Sequence, residues 1–249
     1  MTHVLMIKAG ETATPIRLAS GDYDRWFLQT ATVPGVKFQI VQAHLGERLP
    51  SSPAEFDAVL VTGSPLSATQ PVPWMLAAAE FMRTAAAQKI PVLGVCFGHQ
   101  LLSLAHGGRV IRNPRGREIG TVEVTLTPEG QRDYLFEGLP PRPSVQATHE
   151  DEVPSLPEGA TLLATNPLSP IQAMAIGPYL RGVQFHPELA SDAMRSVILA
   201  RAEKLEAEAR ARNHPPGERV PQLLAALRPT PFGARVLNNF LAHAARRRG

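Results

Sequence analysis

The sequence predicts an α/β fold, in which a mostly parallel, doubly wound sheet carries an antiparallel strand extension and helices on both faces. Three observations lead to this class. Short apolar segments alternate with helix-like segments through the first half of the 249-residue chain. A G-x-C-x-G motif stands between an apolar segment and a helix-like one. Several short strand-like segments then follow one another without helices between them.

The first half contains four segments typical of buried parallel strands. They lie at residues 4–9, 36–42, 57–62 and 90–95. Helices are expected at residues 22–30, about 73–88, and 97–106. Strands that alternate with helices form parallel sheets covered on both faces. We therefore expect a ligand at the carboxyl ends of these strands.

The second half is predicted to add antiparallel strands to the same sheet and to end in helices. The strands are expected at residues 120–127, 144–149, 161–164, 171–176 and 180–185. Helices are expected at about 191–212 and at 220–227. A final helix has one apolar stripe, formed by Phe232, Val236, Leu237, Phe240 and Leu241. We expect one domain over residues 1–249, with a core of about 1–190 and a helical extension of about 191–249.

Composition excludes several classes of protein. With 44% hydrophobic and 19% charged residues, the chain suits a folded globule. Its one cysteine rules out an intramolecular disulfide framework and a zinc site built on a cysteine pair. The net charge of +3 comes without a basic face, and we expect Arg246, Arg247 and Arg248 to lie at a helix C-terminus, so nucleic acid is not an expected partner. We find no signal peptide or membrane-spanning run, and we expect a cytoplasmic protein.

Cys96 lies in the most informative stretch, Gly94 to Gln100, which reads GVCFGHQ. Glycines two positions before and after the cysteine permit a sharp turn between strand and helix, as in a nucleophile elbow. The positive N-terminal end of the following helix favours the thiolate. A thiolate is the form that attacks a carbonyl carbon. We therefore interpret Cys96 as a nucleophile.

A nucleophile of this kind needs a base and a group that orients the base. His186 and Glu188 supply both within the sequence FHPE, directly after the predicted strand at 180–185. An oxyanion hole is also required, built from backbone N–H groups that point at the developing charge. The turn at Gly63 and Ser64 follows a strand, and the amide of Phe97 begins a helix. These are the candidate donors.

These motifs resemble those of the class I, triad-type glutamine amidotransferases. In that family, G-x-C-x-G-x-Q carries the nucleophile and H-P-E carries the base with its partner. The resemblance covers roughly residues 1–190 and implies that Cys96, His186 and Glu188 are catalytic. It also implies that Gln100 lies near a substrate glutamine. Neither a cofactor nor a metal is expected.

Two further segments are most similar to the GMP-synthase-like branch of that family. They are GREIG at residues 116–120 and THED at residues 148–151. The resemblance implies that His149 and Asp151 lie near the mouth of the pocket. The turn at Gly63 departs from the pattern, because many relatives have two glycines there. We also find no glycine-rich phosphate loop with which this chain could activate a nucleotide substrate.

The reaction that the resemblance implies is hydrolysis of the glutamine side-chain amide through a γ-glutamyl thioester. The ammonia would pass to an acceptor, and the partner would be a separate synthetase subunit. A free-standing γ-glutamyl peptidase with the same site is the first alternative, and a non-catalytic regulatory relative is another. A metal oxygenase that uses His149, Asp151 and His186 is a third. A cysteine α/β-hydrolase is a fourth, although its acid normally precedes the histidine. Oligomeric state cannot be predicted.

Overall fold

The computed structural model describes residues 1–247 and confirms the predicted α/β class. The strands are β1 Thr2–Ile7, β2 Val36–Val41, β3 Ala58–Val61, β4 Val92–Val95, β5 Ile111–Arg112, β6 Glu118–Glu123, β7 Thr125–Leu126, β8 Ser144–His149, β9 Asp151–Glu152, β10 Ala160–Thr165, β11 Ala173–Ile176 and β12 Leu180–Val183. The helices are α1 Thr14–Ser20, α2 Tyr23–Thr30, α3 Pro73–Ala87, α4 Phe97–Ala105, α5 Pro128–Arg132, α6 Ser191–Ala200, α7 Ala202–Arg210, α8 Arg219–Ala226 and α9 Pro231–Arg246.

The main sheet has eight strands in the order β2-β1-β3-β4-β12-β11-β10-β7. Neighbouring strands from β2 to β12 are parallel, whereas β11, β10 and β7 continue the sheet by antiparallel pairing. Every residue of the parallel strands β3, β4 and β12 is buried. This agrees with a sheet that is covered on both faces.

The pairing of β12 with β4 decides where the candidate site forms. Val183 stands opposite Val95 in a parallel register, so the two strands end at the same level. Cys96 follows one strand and His186 follows the other within three residues. Residues that are ninety positions apart in sequence are therefore neighbours at the carboxyl edge of the sheet. The prediction that the strand at 180–185 belongs only to an antiparallel extension was incomplete, because β12 is also part of the parallel sheet.

The predicted strands at 120–127 and 144–149 do not extend the main sheet. Instead, β6 pairs with β8 in a separate two-stranded ribbon, and only β7 reaches the main sheet. Helices cover this ribbon, because Ile119 packs with α6 and α8 while Val145 packs with α9. The alternating pattern correctly indicated antiparallel strands, but it does not determine which strands pair with one another.

The helix predicted at 191–212 is divided into α6 and α7 at Arg201. The backbone N–H of Arg201 bonds to Ile198 O at 3.2 Å, which closes a tighter turn than the α-helical one. The break keeps Val197 and Leu205, one on each helix, in the same apolar cluster. Helix α1, which was not predicted, adds Ile16 to that cluster.

The final helix confirms most of its predicted stripe. Val236, Leu237, Phe240 and Leu241 of α9 are fully buried, whereas Phe232 is only partly buried. Arg246 ends α9 and Arg247 follows it, while Arg248 lies outside the described residues. Of the helices within residues 1–247, none is both long enough and apolar enough to cross a membrane.

Candidate active site

Cys96 occupies a strained turn between β4 and α4. Its φ of 50° and ψ of −98° place a non-glycine residue in a region that side chains rarely adopt. A side chain at Gly94 would stand only 2.4 Å from the carbonyl oxygen of Gly98, so the tight approach of helix to strand requires glycine there. The cysteine side chain is 5% exposed and lines a cavity. The predicted nucleophile elbow is confirmed as a backbone conformation.

His186 lies beside this turn, with its ring held by Glu188 and its backbone held by Gln146. The ring atom Nδ1 is 2.7 Å from Oε1 of Glu188, and both side chains are almost completely buried. The backbone N–H of His186 donates to Gln146 O of the ribbon at 2.8 Å, which fixes the start of the turn. The structure thus brings together the cysteine, histidine and glutamate that the motifs singled out.

The charge of the imidazole depends on Cys96 and Glu188. Burial alone lowers the pKa of His186, but the negative charges of Glu188 and Cys96 outweigh it and raise the pKa to about 10. The ring atom Nε2 makes no hydrogen bond of good geometry to the described residues, yet Cys96 is close enough to act on the ring. Such an arrangement favours the protonated imidazolium of His186 at neutral pH.

Gly63 lies against this imidazole. A side chain there would come within 2.7 Å of Cε1 of His186 and 3.1 Å of Cε1 of Tyr23. The ring of Tyr23 is stacked on that of His186, with centroids 6.3 Å apart and an angle of 22°. Burial, followed by the charge of Cys96, raises the pKa of Tyr23, so its hydroxyl stays protonated. The motifs did not indicate Tyr23.

The backbone near Cys96 offers two free donors. The N–H groups of Gly63 and Phe97 have no hydrogen-bond acceptor among residues 1–247. The side chain of Phe97 is buried in the core and stacks on Trp74, so only its backbone is available at the site. Ser64 lines the cavity, but its hydroxyl accepts a bond from Leu66 N at 3.1 Å and so stabilises the loop.

A cavity of about 430 Å³ opens above Cys96. Its walls differ in chemistry. Its apolar lining comes from Ile16, Trp26 and Val197 of helices α1, α2 and α6, and from Leu189 in the segment before α6. The other end is charged and comes from Arg112, Arg117, Glu150, Asp151, Arg201 and Lys204. The site therefore combines a buried reactive centre with a polar entrance.

Gln100, His149 and Asp151 also line this cavity. Nε2 of Gln100 donates to the carbonyl of Asp151 at 3.1 Å, which ties α4 to the loop after β8. The carboxylate of Asp151 accepts a bond from Ser67 at 2.5 Å. His149 is almost fully buried, and its ring nitrogens are engaged by Glu118 at 2.9 Å and by Asp151 O at 3.0 Å.

Glu118 is a buried acid that the sequence motifs did not indicate. Besides His149, it accepts hydrogen bonds of 2.6 Å from each of Asn166 and Gln172. These partners, with the charge of His149, lower the pKa of Glu118 although burial raises it. The cluster supports the loop that carries Asp151, so His149 stabilises the wall of the cavity rather than facing the reactive centre.

The same contacts exclude the metal-oxygenase alternative. The ring of His149 is occupied by Glu118, and in residues 1–247 no three histidine, cysteine, aspartate or glutamate side chains are grouped so as to hold a metal. The α/β sheet is also not the all-β architecture which that chemistry usually occupies. Glu188, which accepts a hydrogen bond from the ring of His186, follows it by two residues in the chain, whereas the acid of an α/β-hydrolase normally precedes the histidine.

Comparison with known proteins identifies the family. The family model described as "Glutamine amidotransferase class-I" matches residues 21–204 of this chain. The chain belongs to the class I glutamine amidotransferases. The resemblance that the motifs carried is thus confirmed over most of the chain, and hydrolysis of the glutamine amide is the activity of this enzyme family.

Relatives of two kinds are found within this family. Gamma-glutamyl peptidase 5 of Arabidopsis thaliana is 29% identical over 76% of this chain and 77% of its own length. A glutamine-hydrolyzing GMP synthase subunit of Methanothermobacter thermautotrophicus is 40% identical, over 41% of this chain and 53% of its own length. Among solved structures, a glutamine amidotransferase from Thermotoga maritima shares the fold, with a TM-score of 0.72, 22% identity, and coverage of 98% of this chain and 97% of that one.

Proposed function

We propose that Cys96, His186 and Glu188 cleave the side-chain amide of glutamine or of another γ-glutamyl compound. The Cys96 thiolate attacks the amide carbon, and the carbonyl oxygen becomes an oxyanion. The imidazolium of His186 gives its proton to the departing amine, and the C–N bond breaks to leave a γ-glutamyl thioester on Cys96. Water then loses a proton to His186 as it attacks the thioester, which releases glutamate and restores the thiolate.

The observation that carries this proposal is the 2.7 Å contact of His186 with Glu188, next to a cysteine in a strained elbow. Glu188 fixes the tautomer of the imidazole and stabilises its cation. The oxyanion would accept hydrogen bonds from the N–H groups of Gly63 and Phe97, which have no other acceptor among the described residues. Preorganised donors of this kind act without reorganisation during the reaction.

Two fates of the leaving group are compatible with this chemistry. In the first, ammonia from glutamine passes to a separate synthetase protein, as the names of the GMP synthase relatives suggest. In the second, the enzyme acts alone on γ-glutamyl peptides, as the names of the peptidase relatives suggest. The cavity of about 430 Å³ is compatible with both fates, because a pocket of this size can hold either glutamine or a γ-glutamyl dipeptide.

The test compares the purified wild-type chain with Cys96→Ala on glutamine and on a γ-glutamyl dipeptide. We expect glutamate release by the wild type and a loss of at least about 1,000-fold in kcat for the variant, because its nucleophile is missing. Thermal unfolding of both proteins controls for folding. Undiminished turnover by Cys96→Ala would contradict the mechanism, and the ratio of the two wild-type rates distinguishes the two substrate classes.

A further inference from the structure

The charged end of the active-site cavity contains more cations than acids. Three cations, Arg112, Arg117 and Lys204, share the single carboxylate of Glu150, which Arg112 contacts at 3.2 Å. Arg117 has a second partner, because it forms two hydrogen bonds of 3.0 Å with Glu208. Asp151 is bonded to Ser67 instead, and no ion pair joins it to these cations within residues 1–247.

Arg201 is the fourth cation, and its position differs from that of the other three. It stands at the break between α6 and α7 and lines the same cavity as Cys96. Its Nη1 donates to Oγ1 of Thr148 at 2.6 Å, but among residues 1–247 no carboxylate forms an ion pair with it. Its guanidinium is thus held in place by a neutral group and retains unused donors toward the cavity.

Arg201 lies among other positively charged side chains that line the same cavity. Its positive charge contributes to lowering the pKa values of Arg117 and Lys204, although burial is the larger cause for both. An anion bound among these groups would relieve the repulsion. A guanidinium is suited to a carboxylate, because two parallel N–H groups match the two oxygens.

We propose that Arg201 binds a carboxylate of the substrate while Cys96 attacks its amide. This rests on the proposed function, because it assigns a second contact to the same γ-glutamyl substrate. Two carboxylates offer this chemistry. One is the α-carboxylate of the glutamyl group, and the other is the carboxylate of an amino acid or peptide that leaves as the amine. Thr148 orients the guanidinium and Lys204 adds positive charge beside it.

The experiment measures kcat and KM for wild type, Arg201→Met and Arg201→Lys. Four substrates are used, namely glutamine, glutamine α-amide, γ-glutamylglycine and γ-glutamylglycinamide. We expect Arg201→Met to raise KM by about 10- to 100-fold for substrates that have the bound carboxylate, with kcat nearly unchanged. Arg201→Lys should restore part of this loss. The control is Arg195→Met, since Arg195 is exposed on α6, the helix that ends just before Arg201, and does not line the cavity.

The pattern across substrates distinguishes the source of the carboxylate. If the leaving amine supplies it, only γ-glutamylglycine is affected. If the glutamyl group supplies it, only glutamine α-amide is spared. An equal effect of Arg201→Met on all four substrates, or no effect on any, would overturn the proposal.

A binding measurement separates this proposal from the catalytic one. Calorimetric titration of γ-glutamylglycine, γ-glutamylglycinamide, glutamine and glutamine α-amide into Cys96→Ala, with and without Arg201→Met, needs no turnover. The proposal expects Arg201→Met to weaken binding of the ligands that have the bound carboxylate and to leave binding of the ligands without that carboxylate unchanged. Equal weakening of all four ligands would contradict it even if the catalytic mechanism holds. A wild type that binds but does not hydrolyse would contradict only the mechanism.

Discussion

At the scale of single residues, the charge on His186 is the quantity on which the chemistry depends. The imidazole is buried, which alone would keep it neutral, but Glu188 and Cys96 raise its pKa to about 10. A folded pKa above the unfolded value of 6.5 means that protonation of His186 stabilises the fold fully below pH 6.5. This contribution is lost as the pH rises through about 10.

Glu188→Gln tests this electrostatic account. The variant keeps the shape of the side chain but removes the negative charge, so we expect the pKa of His186 to fall toward or below its ordinary value of 6.5. The rate of hydrolysis should fall by about 100- to 10,000-fold. Titration of the His186 ring by NMR measures the pKa change. Alkylation of Cys96 as a function of pH measures the effect on the thiolate, and the chain has no other cysteine to confuse the signal.

Glu158→Gln is the matched control, because Glu158 is exposed on a distant loop. An unchanged titration of His186 in Glu188→Gln would contradict the account. Denaturant unfolding tests the direction in which this stabilisation changes with pH. The wild type should exceed Glu188→Gln in free energy of unfolding near neutral pH, and this difference should narrow as the pH rises through about 10.

The motifs in the sequence contain the central residues of the site but not all of its walls. Cys96, His186 and Glu188 occur in short motifs that require a particular local backbone, so their roles could be predicted without knowing the fold. Tyr23 and Arg201 reach the cavity only because separate helices pack there. The residues next to Tyr23 and Arg201 in sequence form no motif that would indicate a place in the site. Only Asp22, a typical helix N-cap residue, marks the start of the helix that carries Tyr23.

At the scale of secondary-structure elements, a buried ion pair sets the start of α2. Lys8, which follows β1, is 2.8 Å from Asp22 and 3.0 Å from Asp24, and its side chain is almost completely buried. Asp22 also accepts hydrogen bonds of 2.9 Å from the N–H groups of Thr12 and Tyr23. These contacts fix the position from which Tyr23 stacks on His186.

Asp22→Asn should destabilise the protein by about 1–3 kcal/mol, because it leaves Lys8 buried with only Asp24 as a charged partner. Although burial raises the pKa of Asp22, Lys8 and the backbone donors lower it below 3.8 overall. Its stabilising charge is therefore present above pH 3.8 and is lost as the pH falls through the lower folded value. Urea unfolding at several pH values measures both effects.

Asp24→Asn is the control, since Asp24 is more exposed and accepts no backbone bond of this kind. We expect it to cost less than about 1 kcal/mol. An equal cost for the two variants, or a difference between wild type and Asp22→Asn that widens as the pH falls below 3.8, would contradict the role assigned to Asp22.

The elements that were predicted incorrectly share a physical cause. Local periodicity determines whether a segment is a strand, but the pairing of β6 with β8 depends on the helices that cover the ribbon. The break at Arg201 has no glycine or proline to signal it. Arg201 at this break donates a hydrogen bond to Thr148, a tertiary contact that the local sequence does not reveal.

At the scale of the whole molecule, α9 completes the core on one face of the sheet. Phe240 is fully buried in a cluster that includes Val4, Phe27 and Phe185. Phe185 directly precedes His186, so the last helix packs against the segment that carries His186. The sequence predicted the stripe, but it could not decide between a core and a dimer interface. Within the described chain, the stripe lies in the core.

Phe240→Ala should lower the free energy of unfolding by about 3–5 kcal/mol, because it leaves a cavity among buried side chains. The m-value should stay unchanged if α9 unfolds together with the sheet. The control is Phe232→Ala on the same helix, where a partly exposed ring should cost less. A separate unfolding step for α9, at lower denaturant than the rest of the chain, would contradict this cooperative packing.

The most direct test of the mechanism is to trap the covalent intermediate. Rapid acid quenching during turnover of glutamine, followed by mass spectrometry of the peptide that contains Cys96, reports the chemical state of the only sulfhydryl in the chain. The account predicts a glutamyl thioester on Cys96 that forms and decays at rates consistent with turnover, and that is absent from Cys96→Ala. Turnover that continues with Cys96 unmodified at every time, and with full activity in Cys96→Ala, would contradict it.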